Sequence, residues 1–156
     1  METIAELIAK NARPGIVQWI GVRPERRGAV IQPDCVELTT AGLVGDHNQS
    51  GGKRAVTLVQ QEHLSAIASF LGQQSVDPVK LRRNFVVSGI NLLGLRNRQF
   101  NIGNTVLEGS GLCAPCSRME EAFGPGGYSA VRGHGGITAR IVKAGSISIS
   151  DEVTPV

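Results

Sequence analysis

The apolar residues of this chain come in short, β-branched runs, each ended by glycine, asparagine or aspartate, and that pattern sets the fold class. The runs are GIVQWIGV (15–22), CVELTT (35–40), AVTLVQ (55–60), NFVVSG (84–89), FNIGNTVLEGS (100–110) and ITARIVKAGSISIS (137–150). Valine, isoleucine and threonine suit a pleated, half-buried surface, and the partial alternation turns one face toward a core. Glycine, at 20 of 156 residues, supplies the turns. NIGNT and KAGSI read as tight turns, each joining the strands on its two sides as neighbours.

Helix signals are fewer. QQEHLSAIASFLG (60–72) carries Leu64, Ile67, Ala68 and Leu71 at helical spacing and stops at Gly72. A short helix is expected over residues 2–10, with Ile4, Leu7 and Ile8 on one face. SRMEEAFG predicts two turns ending at Gly124. Strands and helices do not alternate regularly, which argues against a doubly wound parallel sheet. The expected architecture is mainly β: a mostly antiparallel β-barrel with a few short peripheral helices, in a single domain over residues 1–156.

That length buries a core without staples. No apolar run approaches the roughly 20 residues of a membrane span. METIAELIAKNARPG lacks the basic-then-apolar order of a secretion signal. Three cysteines cannot all pair within one chain, so free thiols in a reducing cytoplasm are expected. The net charge is +3, with bases clustered in RPERR (23–27), LRRN (81–84) and LRNR (95–98). Each cluster reads as solvated surface or as part of an anion-binding face. Aromatics are only 4% of the chain, too few for base-stacking platforms, and no nucleic-acid partner is expected.

The stretch GSGLCAPCSRMEEAFG (109–124) holds Cys113 and Cys116. A structural zinc needs about four ligands. Beyond this pair, Cys35, His47, His63 and His134 stand singly and far apart in sequence. A thioredoxin-type couple expects its Cys-x-x-Cys to open a long helix inside a βαβ unit, and neither the helix nor the unit is read here. The remaining reading is one activated thiol. Pro115 marks a helix start, which sets Cys116 at the helix's positive end with Arg118 two residues on, while Cys113 packs as a small apolar residue. Such a thiolate serves as nucleophile, persulfide carrier or ligand to a soft metal centre.

Three loops keep it company. GLVGDHNQSGGKRAVTLVQQEHL (42–64) loads a glycine-rich loop with Asp46, His47, Lys53 and Arg54, without the ending of a P-loop. DPVKLRRNFVVSGINLLGL (77–95) sets Arg82, Arg83 and Asn84 just before a strand, where guanidiniums can clamp phosphate or carboxylate. RGHGGITAR (132–140) adds His134 between Arg132 and Arg140. Together the loops describe a pocket for an anionic cofactor beside a thiolate.

Taken in order, GLVGDHN, GGKRAVTLVQQEHL, LRRNFVVSGINL, FNIGNTVLEGSGLCAPCSRMEE and GHGGITARIVKAG resemble the MOSC domain, the C-terminal region of molybdenum cofactor sulfurases, in its small bacterial form. The likeness covers roughly residues 14–153. It implies a mostly antiparallel barrel. It also implies the molybdenum cofactor (molybdopterin), with Cys116 as catalytic cysteine and metal ligand, carrying sulfur or holding molybdenum. Arg82, Arg83 and Asn84 are then expected near the cofactor, with Asp46, His47, Lys53, Arg54 and His134 as further binding candidates. The implied activities are reduction of N-hydroxylated compounds, with electrons from a separate flavin or iron–sulfur protein, or sulfur carriage or cofactor delivery in metal–sulfur cluster biosynthesis, with a cysteine desulfurase as partner. The chain has no counterpart of the sulfurase's lyase domain, and pyridoxal phosphate is not expected.

Overall fold

All six apolar runs form strands in the computed structural model, which describes residues 1–156. In chain order the first elements are α1 (Ile4–Ile8), β1 (Gly15–Ile20), β2 (Cys35–Thr39), β3 (Gly42–Leu43), β4 (Val56–Gln60), α2 (Gln61–Leu71), α3 (Pro78–Leu81) and β5 (Phe85–Ser88). They are followed by β6 (Gln99–Ile102), β7 (Thr105–Leu112), α4 (Ser117–Phe123), α5 (Gly127–Val131), β8 (Ile137–Lys143), β9 (Gly145–Ser148) and β10 (Glu152–Pro155). Seven strands close a barrel in the order β1-β10-β6-β7-β8-β4-β5, and β3, β2 and β9 form a separate sheet.

Every neighbouring pair in the barrel is antiparallel except β4 and β5, which run parallel. A parallel pair needs a crossover, and α2 with α3 supplies it. The chain therefore does contain one βαβ unit, which the sequence reading did not expect, although the two cysteines lie outside it. Its strands are buried on both faces. Leu58, Phe85 and Val87 fill the barrel, while Val59 and Val86 pack outward against Ile67, Ala68, Leu81, Met119 and Val131. Two-sided burial is why VTLV and FVV read as continuous apolar runs rather than alternating ones. α2 ends at Gly72 in the left-handed conformation, as its sequence predicts.

The two expected tight turns part ways. NIGNT makes the β6–β7 hairpin, with Ile102 opposite Thr105. KAGSI does not pair its flanking strands. β9 leaves β8 and pairs with β2, from Cys35 opposite Ser148 to Leu38 opposite Gly145. The reason is burial: the small sheet delivers Val36, Leu38, Leu43 and Ile147 to the barrel's core. α1 forms with a capping box between Thr3 and Glu6, but Ile4, Leu7 and Ile8 remain exposed.

Where β8 begins, Gly136 has φ +87°, and a Cβ there would lie 1.8 Å from the Leu58 carbonyl oxygen. Only glycine fits both demands. Gly136→Ala is expected to destabilise the barrel by roughly 3 kcal/mol, combining backbone strain with displacement of β4. Urea denaturation with the m-value held in view checks this, and a midpoint within error of the parent would contradict the assignment.

Candidate functional site

The site is built outward from Asn84, the residue before β5. Its Oδ1 accepts the Thr57 N–H at 3.0 Å and the Thr57 hydroxyl at 3.2 Å, and its Nδ2 donates to the Gly21 carbonyl at 3.2 Å. The Asn84 N–H donates in turn to the Thr57 hydroxyl at 3.0 Å. Buried Asn84 thus ties the end of β1 to the starts of β4 and β5. Its Oδ1 and one N–H of its Nδ2 are committed to the protein, which makes it a positioning residue.

Arg83, one residue earlier, is also buried. Its Nε donates to Gly135 O at 2.9 Å and its Nη1 to Leu81 O at 3.1 Å, while Nη2 faces Cys113 O and Ala114 O at 3.4 Å each. Four carbonyls and no carboxylate hold this guanidinium, so its charge is solvated but not neutralised. Gly135 belongs to the same contact: a Cβ there would sit 2.3 Å from the Cys113 carbonyl oxygen. The Cys113 N–H donates to Gly136 O at 2.8 Å. The Cys113–Cys116 turn is therefore clamped between β5 and the glycine loop that opens β8.

The turn borders a cavity of about 400 Å³. Seven arginines line it, namely Arg23, Arg26, Arg27, Arg54, Arg82, Arg83 and Arg118, together with His47, Cys113 and Cys116. An adjoining pocket of about 360 Å³ shares Arg23, Arg26, His47 and Arg54 and extends to Asp46, Asn48 and Asn84. The guanidiniums crowd one another. Burial and then the neighbouring Arg82 push the Arg23 pKa below its ordinary value, against the pull of Asp46. Burial and Arg118 lower that of Arg82, with Cys116 acting in the opposite sense. Arg82 donates through Nη2 to the carbonyls of Arg26 and Gly28 at 3.1 and 3.2 Å, and its buried Nε has no partner.

Asp46 organises the loop beside them. Its Oδ1 accepts the Arg23 N–H at 2.8 Å and its Oδ2 the Asn48 N–H at 3.0 Å. His47 places Nδ1 3.0 Å from the Arg23 carbonyl, which fixes that nitrogen as the protonated one. Cys116 stands at the residue before α4, without a capping hydrogen bond from its side chain, and is exposed. Cys113 is buried, and burial pushes its thiol above the ordinary value, only partly offset by Arg83 and Arg54.

The structure thus gathers Cys116, Arg54, Arg82, Arg83 and His47 around one cavity, with Asp46 and Asn84 at its extension. It sets two expected residues apart. Lys53 is exposed and engages only through its main-chain carbonyl, which receives the Ser110 hydroxyl. His134 packs its ring 5.3 Å from that of His63 and lines neither pocket. The physical reason is local: the turn Gly52–Arg54 is held against β7, and the 132–136 loop presents its glycine backbone to Arg83 while His134 faces α2. Arg23, Arg26 and Arg27 were not singled out as site residues from sequence. Their one signal was the density of bases in RPERR, which surface charge explains equally well.

The donor set fits an anionic, sulfur-ligated cofactor. It offers many cations, one exposed thiol, one unpaired buried N–H and no lining carboxylate in the cavity that holds Cys116. It does not fit a metal held by protein ligands alone, since no group of three His, Cys, Asp or Glu side chains exists. No helix is long and apolar enough to cross a membrane.

A sequence profile of the MOSC domain matches residues 45–154. Among solved structures, the YuaD protein from Bacillus subtilis is similar with a TM-score of 0.80 at 17% identity, covering 90% of this chain and 94% of that one. YiiM from Geobacillus stearothermophilus gives 0.76 at 16% identity, with 92% and 75% covered. YiiM from Escherichia coli gives 0.70 at 21% identity, with 90% and 69% covered. At these identities the likeness establishes the fold. No curated protein matches the sequence.

Three measurements check the site. At neutral pH, iodoacetamide is expected to alkylate Cys35 and Cys116 and to spare Cys113, read by peptide mass spectrometry. Arg83→Met leaves four carbonyls without their donor and is expected to cost about 3 kcal/mol and expose Cys113 to the reagent. Because the folded Cys113 thiol titrates above its unfolded value, its contribution to stability is full below the ordinary thiol value of 9.0 and is lost as pH rises beyond it. Cys113→Ala should therefore flatten the alkaline decline in stability.

Proposed function

The chain belongs to the MOSC domain family, and from that premise we propose that it binds the molybdenum cofactor through the Cys116 thiolate and reduces N-hydroxylated compounds. The observation that carries the reading is the cavity itself: seven arginines and one exposed thiol share it, with no acid among its lining residues. Arginine clusters of this kind repel themselves and are relieved by an anion. A phosphorylated pterin supplies one, and its sulfur-ligated metal takes a cysteine as a further soft ligand.

Each residue then has a task. Arg82 offers the unpaired Nε, and Arg26, Arg27, Arg54 and Arg118 offer side chains to the phosphate. Arg83 spends hydrogen bonds on the Cys113–Cys116 turn and keeps a positive charge beside it. Asp46 holds the 46–49 loop, and through it His47, at the cavity's margin. The bound cofactor would supply two electrons at the metal, which with two protons convert an N-hydroxyl to an N–H and release water. The electrons would come from a separate flavin or iron–sulfur protein. This reading sets the protein in the cytoplasm, where free thiols and such partners occur together.

The exposure of Cys116 favours a second reading, a persulfide carrier loaded by a cysteine desulfurase. One experiment separates the two. Protein purified from a host that makes the cofactor is expected to contain near-stoichiometric molybdenum and pterin, and Cys116→Ser is expected to lose most of the molybdenum. Arg82→Gln should lower pterin content roughly tenfold while leaving the fold intact. Neither element nor pterin in the parent protein, with Cys116 gaining the mass of one sulfur on exposure to a desulfurase, would replace the first reading by the second.

A further inference from the structure

The Cys113–Cys116 turn has a second side. There it borders a larger cavity of about 790 Å³, which shares only Cys113 and Ala114 with the arginine-lined one. Its character is different. Leu112, Pro115 and Tyr128 line it, and Gly135 and Gly136 add bare backbone. Leu112 is 56% exposed and Tyr128 43%, so two large apolar side chains that the fold leaves uncovered converge on one concavity. Single exposed apolar residues need no explanation, but convergent ones in a cavity of small-molecule size do.

Tyr128 is held in place. The Glu120 carboxylate accepts the N–H of Gly126 at 3.1 Å and of Tyr128 at 3.0 Å, which pins the start of α5 to α4. The one charged group of the lining is Arg132, just past the end of α5. It takes part in none of the protein's three ion pairs and in no side-chain hydrogen bond. No carboxylate lines the cavity. A cationic guest would find repulsion without a counter-charge, and a neutral one would leave the guanidinium unused. A flat apolar molecule with one carboxylate satisfies the apolar lining and the cation together.

We propose that this cavity is a binding site for aryl carboxylates, with the ring against Leu112, Pro115 and Tyr128 and the carboxylate on Arg132. The proposal concerns the cavity itself and holds whether or not Cys116 carries a metal.

Calorimetric titration of the full chain tests it with three probes of one shape: 2-naphthoate, 2-naphthylmethanol and 2-naphthylmethylamine. Naphthoate is expected to bind roughly tenfold more tightly than the alcohol, with the amine weakest. Arg132→Gln should reduce naphthoate to the affinity of the alcohol. Tyr128→Ala should weaken acid and alcohol alike, by about tenfold. Both side chains are exposed, and unchanged thermal melting verifies that the variants fold. Arg26→Gln, in the other cavity, should leave naphthoate affinity as it was. Three outcomes overturn the proposal: no naphthoate binding, equal affinity for the three probes, or naphthoate binding that survives Arg132→Gln and is lost in Arg26→Gln.

Discussion

The arrangement around the thiols depends on one buried guanidinium. Arg83 leaves the start of β5 and meets the carbonyls of Leu81, Cys113, Ala114 and Gly135. Those carbonyls belong to three segments far apart in sequence. Each is a loop end whose acceptors would otherwise need water, and a planar fork of donors reaches all of them at once. Desolvating an arginine is costly, and carbonyl partners offset that cost without cancelling the charge. The same side chain therefore fixes the turn and keeps positive potential beside it.

Asn84 is the neutral complement. It joins the parallel strands β4 and β5 at their beginnings and reaches the end of β1. The parallel pair is the irregular part of an otherwise antiparallel barrel, and there the Thr57 N–H and the Gly21 carbonyl are met by the Asn84 side chain. A buried amide supplies both a donor and an acceptor there. Consecutive residues thus do the structural work, Arg83 toward the cysteine turn and Asn84 toward the barrel, and the strand register that follows sends Phe85 inward and Val86 outward.

Two cavities of opposite character meet at the turn so held. One is crowded with guanidiniums, and burial together with neighbouring arginines drives Arg23 and Arg82 below their ordinary pKa. The other is apolar with a single free cation. The dividing segment is short, Cys113 to Cys116, with one thiol buried and one exposed.

The sequence by itself determined eight of the ten strands, the long helix over Gln61–Leu71 and the burial of Cys113 beside an exposed Cys116, while β3 and β10 were not read from it. These follow from local causes: β-branched runs, a 3.6-residue apolar period, and a proline before Cys116. It also marked Arg82, Arg83, Asn84 and the Asp46–His47 loop as one set with the thiol. What it left undecided was where each group points. KAGSI has the residues of a hairpin turn, yet β9 goes to β2 because burying Ile147 lies in that direction. Lys53 and His134 sit within motifs that reach the site, but only their backbones or neighbours do so. RPERR read either as solvated surface or as part of an anion-binding face, and the fold brings it against Arg82 and Arg118. Asn84 has the chemistry of a ligand donor, and its Oδ1 and one of its N–H groups are taken by the barrel. Local sequence fixes which groups a segment carries, because that is covalent. Only the tertiary structure decides which of them are consumed by the fold and which are left free, because that depends on partners contributed from elsewhere in the chain.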